Sequence, residues 1–409
     1  MEVWDENEDQ FLCAGVTVSR TIVRPRSLTA LGYENSQSLT YVQQGRAVAG
    51  VTFPGCPETF FSGGRSSMSF EEETGRSEQE RDRHQKLHRI QQGDIFAVPL
   101  GTVYWFYNHG DQDLILLTVF DLNSKFNQLD NSMRFFPLVG NFQRFSGKQF
   151  GREQEEKKQN QKNIISALDP QLVSESLNID LETVRQIQSS EIRGPIFSLD
   201  HQQQQRMFWP EDKENQQKIY QSNGLDETVC YSRLQFNLDR RGEADVYSRQ
   251  AGRLNSVTAN KLPVLQLIGM SAEKVDLLPD AIFSPHYSVN SHTIVVVTRG
   301  DGRIQVVDDR GRNVFNGRVR QGEVIVIPQH YVSMKKAGSN GMEWVAFKTS
   351  AYPVKNQFAG RLSLFSGTPV QVLASSYGIS VGQARKLKQC RKQDFVLFPP
   401  ASSASGGDC

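Results

Sequence analysis

Three histidines in the C-terminal part of the chain, His286, His292 and His330, are the residues whose type best suits a metal site. About three imidazoles and a carboxylate that converge on one divalent ion would form a metal centre. The alternative is a set of core or interface histidines bonded to the backbone. The chain has no GxSxG motif, no P-loop and no GxGxxG leading into a helix, which removes other familiar catalytic arrangements.

A second reactive feature is the Asn223-Gly224 bond in the segment NGLDETVC, residues 223–230. A polar stretch, HQQQQRMFWPEDKENQQKIYQS, precedes it. An exposed Asn-Gly bond in a polar linker is suited both to a turn and to attack by a protease. The dipeptide taken alone favours an ordinary turn.

The same bond separates two halves of opposite charge. Residues 1–223 contain 23 Lys and Arg against 30 Asp and Glu, whereas residues 224–409 contain 23 against 15. The basic residues are scattered rather than clustered with aromatics, so we expect no nucleic-acid binding.

No apolar run is long enough to span a membrane, and the acidic start EVWDENED is not that of a signal peptide. The five cysteines lack the spacing of a zinc site.

Two long stretches of the chain repeat each other, which predicts two similar domains. Residues 39–51 match 294–307, each with two apolar strands around a glycine turn, at Gly45 and Gly300. Residues 93–105 match 322–334, each with an apolar strand that stops at a proline. Short strands of this kind with Gly and Pro turns are typical of a β-sandwich or jelly-roll barrel.

A third repeated pair predicts a helical hairpin after each set of strands. Residues 170–188 match 369–388. The first helix of each pair is predicted to begin at a proline that follows an N-cap residue, Asp169 or Thr368. The second helix of each pair is predicted to be capped by Asp180 or Ser380.

The strand, proline and glycine spacing resembles the cupin family, so the family's metal-ligand positions can be counted onto this chain. In the first repeat, none of these positions carries a residue that suits a divalent ion: they are Leu31, Tyr33, Ser38 and Tyr104. In the second repeat only one of four keeps an imidazole: the positions are His286, Ser288, Thr293 and Ser333. We therefore expect no catalytic residue, no metal and no cofactor.

Several longer segments resemble the legumin-type 11S seed storage globulins, and the resemblance covers nearly the whole chain. They include VWDENEDQFLCAGV, FPGCPETF, NQLD, NGLDETVC and EWVAFKT. The resemblance implies a mainly β fold of two cupin jelly-roll barrels, each followed by a short helical hairpin. The expected segments are an N-terminal cupin domain at 1–195, a polar linker at 196–223 and a C-terminal cupin domain at 224–409.

The resemblance also implies a maturation step. An asparaginyl endopeptidase would cut after Asn223, leaving an acidic chain and a basic chain that starts at Gly224. A disulfide between Cys56 and Cys230 would join them. The family partner of Cys13 lies upstream of the first residue here, so Cys13 should be free. Cys390 and Cys409 lie outside the family's pairs.

The function that the resemblance implies is a nutrient reservoir, without catalysis, in the protein storage vacuole of seeds, reached through the secretory pathway. Such a protein forms homotrimers, becomes a homohexamer after processing and is a potential allergen. A rival hypothesis is a metal-dependent two-barrel oxidase or decarboxylase. A third is a binding module for sugars or small hydrophobic ligands, with Tyr104 and Trp105 lining a pocket, although we expect these two residues to fill the core.

Overall fold

A computed structural model describes residues 1–61, 83–143, 160–189, 194–206 and 229–400. The chain divides into two compact units, one of residues 1–8 and 15–235 and the other of residues 9–14 and 236–409. The predicted domains are divided at residue 223, where the net charge changes sign, whereas the two units are defined by the contacts between residues in the folded chain. The two divisions differ because residues 230–235 stay attached to the first unit, and because residues 9–14 belong to the second.

The first unit is built from antiparallel strands in two main sheets. Their orders are β1-β2-β12-β5-β10 and β13-β4-β11-β3-β16, and β6 joins β11 to β9 in the second sheet. Two small ladders, β7-β8 and β14-β15, accompany them. The strands are β1 (Glu2–Trp4), β2 (Val16–Val23), β3 (Ser27–Thr29), β4 (Gly32–Glu34), β5 (Gln37–Gln44), β6 (Arg46–Thr52), β7 (Phe60–Phe61), β8 (Arg83–His84), β9 (Leu87–Gln91), β10 (Asp94–Val98), β11 (Val103–Tyr107), β12 (Leu114–Asp121), β13 (Phe135–Pro137), β14 (Asn141–Gln143), β15 (Asn160–Lys162) and β16 (Ile196–Ser198).

The second unit repeats this plan with longer strands. Its strands pair in the order β18-β19-β20-β25-β21-β26. In addition, β22 pairs with β25, β23 and β24 both pair with β22, and β27 pairs with β21. Strand β17 (Gln235–Asn237) spans the point where the chain passes from one unit to the other. The other strands are β18 (Val246–Ser248), β19 (Gly252–Val257), β20 (Ser271–Leu277), β21 (Ile282–Ser288), β22 (Thr293–Val307), β23 (Asn313–Arg320), β24 (Val324–Ile327), β25 (Val332–Lys348), β26 (Lys355–Gln357) and β27 (Leu397–Phe398).

The two predicted helical hairpins are present. Asp169 Oδ1 accepts from the Leu172 amide at the start of α2, and Ser380 and Gln383 form a capping box on α8. The N-cap of α7 is Pro369, so the prediction of Thr368 as cap was wrong; the Thr368 hydroxyl instead donates to the Leu364 carbonyl. The helices are α1 (Asp9–Ala14), α2 (Pro170–Leu177), α3 (Leu181–Ser189), α4 (His201–Arg206), α5 (Val264–Ile268), α6 (Leu364–Gly367), α7 (Val370–Tyr377) and α8 (Val381–Gln389), with 3₁₀ turns at Ile164–Ala167 and Arg241–Glu243.

Gly45 and Gly300 are sheet corners rather than hairpin turns, which corrects the sequence interpretation. Strand β5 pairs with β10 and β12, whereas β6 pairs with β9 and β11, so the chain changes sheet at Gly45. Gly300 lies inside the continuous strand β22. Both have positive φ, 88° and 74°, and a Cβ on Gly300 would lie 2.1 Å from the Gly341 carbonyl oxygen. Only glycine fits such a bend at a barrel corner.

The second unit has a dense apolar core between its strands. Val275, Val295 and Trp344 lie on neighbouring strands and are almost fully buried, and the Phe283 ring meets Trp344 edge to face. Among the helices that the structure describes, none combines the length and apolar character needed to span a bilayer. The mainly antiparallel β fold with a helix pair after each set of strands is confirmed.

Candidate functional site

The three candidate histidines of the second unit do not meet at one point. His286 is buried, and its Nδ1 lies 2.8 Å from the Ser284 carbonyl oxygen, to which it donates. The His292 Nδ1 accepts from the Gln329 amide at 3.3 Å, and His330 is exposed. In the described ranges, no three His, Cys, Asp or Glu side chains form a group that could hold a metal ion.

Lysine side chains contact two of the counted ligand positions of the second barrel. Ser288 and Thr293 contact each other through their hydroxyl oxygens at 3.2 Å, and the Lys348 Nζ donates to the Thr293 Oγ1 at 3.3 Å. The Lys335 Nζ donates to the Ser333 Oγ at 3.4 Å. Two of the four positions are therefore in direct contact with a buried cation.

Four neighbouring charged residues form a group that we call the lysine cluster: Glu273, Lys335, Lys348 and Lys355. Glu273 is the counter-ion of the lysines. The Glu273 Oε2 lies 2.6 Å from the Lys355 Nζ, and its Oε1 lies 3.5 Å from the Lys348 Nζ. Burial by itself would raise the pKa of Glu273, but the two ammonium groups outweigh it and hold that pKa well below its ordinary value. Glu273 is therefore an anion inside the barrel.

Lys348 and Lys355 each form an ion pair with Glu273, whereas Lys335 forms no ion pair with a carboxylate among the described residues. Its Nζ lies 5.3 Å from the centre of the Phe283 ring and 5.8 Å from that of Trp344. Burial lowers the pKa of Lys335 to about 7; the Glu273 carboxylate opposes this shift, and the neighbouring cations Lys348 and Lys355 add to it. Burial and the same cations keep the pKa of His286 low, so its imidazole is neutral.

These residues do not fit the divalent ion that other cupin barrels hold. Three of the four counted positions offer neutral hydroxyls, which are weak ligands beside imidazole and carboxylate. The ammonium groups of Lys335 and Lys348 contact two of those hydroxyls and would repel a second cation. The chemistry of the donor set thus supports a packed ionic core and not a metal centre.

The low pKa of Lys335 predicts a specific pH dependence of stability. Lys335 in the unfolded chain stays protonated up to about pH 10.5, whereas in the folded chain it loses its proton near pH 7. Between these values the unfolded state binds more protons, so stability rises with pH, by about 2 kcal/mol from pH 7 to pH 9 for this one group. Lys335→Met should remove that part of the rise, measured by guanidinium unfolding at both pH values.

The exposed neighbour provides the control for that measurement. Lys336 has a side chain that is 51% exposed, next to Asp280, and Lys336→Met should keep the wild-type slope. An equal slope in wild type and Lys335→Met would contradict the assignment of a buried lysine that loses its proton near pH 7.

The counted positions of the first barrel are arranged differently. The Tyr104 hydroxyl donates to the Glu34 Oε1 at 2.6 Å; the Glu34 side chain is buried and that of Tyr104 is half-buried. Burial raises the pKa of Glu34 to about 8, which outweighs the hydrogen bond from Tyr104. Tyr104 therefore faces a neutral carboxylic acid at pH 7, again an arrangement that offers no divalent-metal ligand set.

The important groups that sequence reasoning missed are Glu34, Glu273 and the three lysines. One signal was available: side chains two apart on a strand share a face, so a Ser333 that points inward implies an inward Lys335. No such rule links Glu273 or Lys355 to the site, because β20, β25 and β26 meet only in the folded sheet. Lys348 lies at the far end of β25 from Ser333, and the pairing of β25 with β22 shifts register between them.

The Cys56–Cys230 disulfide is present, with a Cα–Cα distance of 5.5 Å across 174 residues of sequence. Cys13 is a free, exposed thiol, and Cys390 is also disulfide-bonded. The predicted processing residues Asn223 and Gly224 lie outside the described residues.

Comparison with known proteins identifies the class to which this fold and these altered sites belong. The cupin family matches residues 1–158 and 236–385. The 11S globulin seed storage protein 2 of Sesamum indicum is 42% identical over 97% of this chain and 87% of its own length. Glutelin type-A 1 of Oryza sativa subsp. japonica is 38% identical over 100% and 85%. The crystal structure of the coconut allergen cocosin gives a TM-score of 0.81 at 35% identity, over 97% of this chain and 93% of that one.

The protein is therefore a two-barrel cupin whose counted metal-ligand positions carry hydroxyl, aromatic and lysine-contacted side chains. Within that class, the chain belongs to the 11S, or legumin-type, seed storage globulins. Hazelnut vicilin, at 13% identity and a TM-score of 0.65, shares only the fold.

Proposed function

We propose that this storage globulin is a non-catalytic nutrient reservoir of the seed storage vacuole, matured by an asparaginyl endopeptidase that cuts after Asn223. Cleavage yields an acidic and a basic chain, divided at the charge step. The lysine cluster supports the absence of metal chemistry, because buried lysine side chains contact two of the four counted ligand positions. A related pumpkin protein has been solved as a recombinant pro-11S globulin, that is, as a precursor form.

The observation that carries the proposal is the attachment of residues 230–235 to the first unit. These residues follow the cut, yet Cys230 is bonded to Cys56 in that unit. The Leu234 carbonyl accepts from the Ala97 amide at 2.8 Å, and the Gln235 side chain donates to the Arg89 carbonyl at 2.8 Å. The start of the basic chain is therefore held covalently and by backbone pairing, and cleavage at Asn223 leaves a nicked but intact protomer.

The proposed consequence of the cut is a change in assembly. We propose that the segment 200–223, while uncut, obstructs the stacking of two homotrimers into a homohexamer. Treatment with asparaginyl endopeptidase should convert trimers to hexamers, measured by size-exclusion chromatography with light scattering. Asn223→Gln should resist the protease and stay trimeric.

Two controls separate cutting from assembly. Mass spectrometry without reductant should show one protomer mass after cleavage, and with reductant two chains. A hexamer formed by uncut Asn223→Gln, or a trimer that persists after complete cleavage, contradicts the proposal.

The rival hypothesis of a metal-dependent oxidase or decarboxylase makes a different prediction. Such an enzyme would retain about one manganese or similar ion per chain through purification. Elemental analysis of purified protein that finds this stoichiometry would overturn the non-catalytic function.

A further inference from the structure

A cavity of about 750 Å³ lies inside the first barrel. It is lined by β2, β5 and β12 of one sheet and by β4 and β11 of the other. Exposed residues at one end of the lining, Met1, Asn7 and Arg134, mark an opening to solvent. A volume of this size is within the range of small-molecule pockets, about 300 to 1,000 Å³.

One wall of this first-barrel cavity is a patch of hydroxyl groups. Thr118 on β12 lies opposite Ser19 on β2 and Thr40 on β5, and the Thr118 and Thr40 hydroxyls bond to each other at 2.9 Å. In the next row, Thr17 and Ser38 flank Phe120. The Thr17 Oγ1 and the Ser38 Oγ are fully buried and have no hydrogen-bond partner in the described structure.

The opposite wall presents Glu34 and Tyr104. Because the Tyr104 hydroxyl bonds to the Glu34 Oε1, the Glu34 Oε2 remains, buried and without a partner among the described residues. Leaving a buried polar atom unpaired is costly, so three such atoms around one cavity indicate that something polar belongs there. The burial that keeps Glu34 neutral leaves the interior of this cavity without a fixed charge.

Aromatic side chains complete the lining. Phe106, Phe120, Phe135 and Phe136 all contribute, and Phe106 meets Tyr104 edge to face at 5.8 Å. Rings of this kind pack well against a flat ring. A charged ligand would lack a counter-ion in this interior, because the charged side chains of the lining other than Glu34 are Asp5, Glu6, Arg134 and Lys162, which are partly or fully exposed and carry both signs.

We infer that the first-barrel cavity binds an uncharged phenolic compound with two or more hydroxyl groups, which bond to Thr17, Ser38 and Glu34 while its ring packs among the phenylalanines. None of the residues that line the cavity belongs to the lysine cluster. Binding there does not depend on whether the chain has been cut.

The test uses methyl caffeate, a neutral catechol ester, and caffeate, its carboxylate analogue, with the full-length chain at pH 6.5 by isothermal titration calorimetry. Methyl caffeate should bind about once per chain, and caffeate at least about tenfold more weakly. Ser38→Ala removes one hydrogen bond to the ligand and should weaken the binding of methyl caffeate by about 3- to 10-fold. Thr17→Val, which keeps the side-chain shape, should weaken it by a similar factor without lowering the thermal midpoint.

The matched control is Ser291→Ala. The Ser291 hydroxyl is likewise buried and unpaired in the described structure, but it belongs to the second unit, and its loss should leave methyl caffeate binding unchanged. Glu34→Gln, neutral at every pH, should retain binding within about threefold. No binding of methyl caffeate, equal binding of caffeate, or indifference of binding to both Ser38→Ala and Thr17→Val would overturn the inference.

Discussion

Glu273→Gln should lower the free energy of unfolding by about 3 to 5 kcal/mol, because it removes the only carboxylate of the lysine cluster and leaves buried cations unpaired. The Lys348 side chain is only 2% exposed, so solvent cannot replace the lost anion. Guanidinium unfolding at pH 7, followed by the fluorescence of Trp344 and the other tryptophans, measures the loss.

An exposed ion pair supplies the control. Glu243 pairs with Arg240 at 3.1 Å, and both side chains are about half exposed. Glu243→Gln should change stability by less than about 1 kcal/mol, since water screens such a pair. If both substitutions cost the same, the lysine cluster is not a buried, mutually compensated group.

The Glu273→Gln variant carries a second expectation. Without the anion, the ammonium groups of Lys335 and Lys348 face each other uncompensated, and their protonated forms become less favourable. Its stability deficit should therefore shrink as the pH rises from 7 to 9. A deficit that grows with pH would contradict this account.

Loss of the Cys56–Cys230 disulfide should have a comparable effect in the first unit. The double variant Cys56→Ser, Cys230→Ser should be less stable by about 3 to 5 kcal/mol in the uncut chain, since the bond closes a loop of 174 residues. After cleavage the variant should also unfold at a midpoint that depends on protein concentration, because its two chains are no longer covalently joined.

Cys13→Ser is the control for this experiment, as it removes a thiol that is already free and exposed. It should leave the unfolding midpoint unchanged in cut and uncut protein alike. A double variant as stable as Cys13→Ser would show that the disulfide fastens the chains without stabilising the fold.

Most of the architecture could be predicted from local patterns. Strands that stop at Pro99 and Pro328 and helix caps at Asp169 and Ser380 depend on neighbours in sequence, and the structure has them where expected. Gly45 and Gly300 were misinterpreted because a hairpin turn and a sheet corner need the same positive φ. Only the strand pairing distinguishes them, and pairing is not a local property.

The candidate sites were predictable only in part. Counting from glycines found Ser333, Thr293 and Tyr104, because a repeated fold fixes those positions along the chain. The groups that give these positions their chemistry, such as Glu273 and Glu34, lie on other strands and are brought in by folding. The disulfide was anticipated from family resemblance, since spacing alone does not specify cysteine pairing.

Helix α1 limits when the second barrel can finish folding during synthesis. Residues Asp9–Ala14 belong to the second unit, where Phe11 is fully buried and the Gln10 side chain accepts from the Val326 amide at 3.2 Å. The ribosome makes this helix among the first residues, yet its binding strand β24 follows more than 300 residues later. The second barrel thus cannot be completed until an early segment returns to it, and a C-terminal fragment expressed alone from Phe236 lacks a piece of its own core.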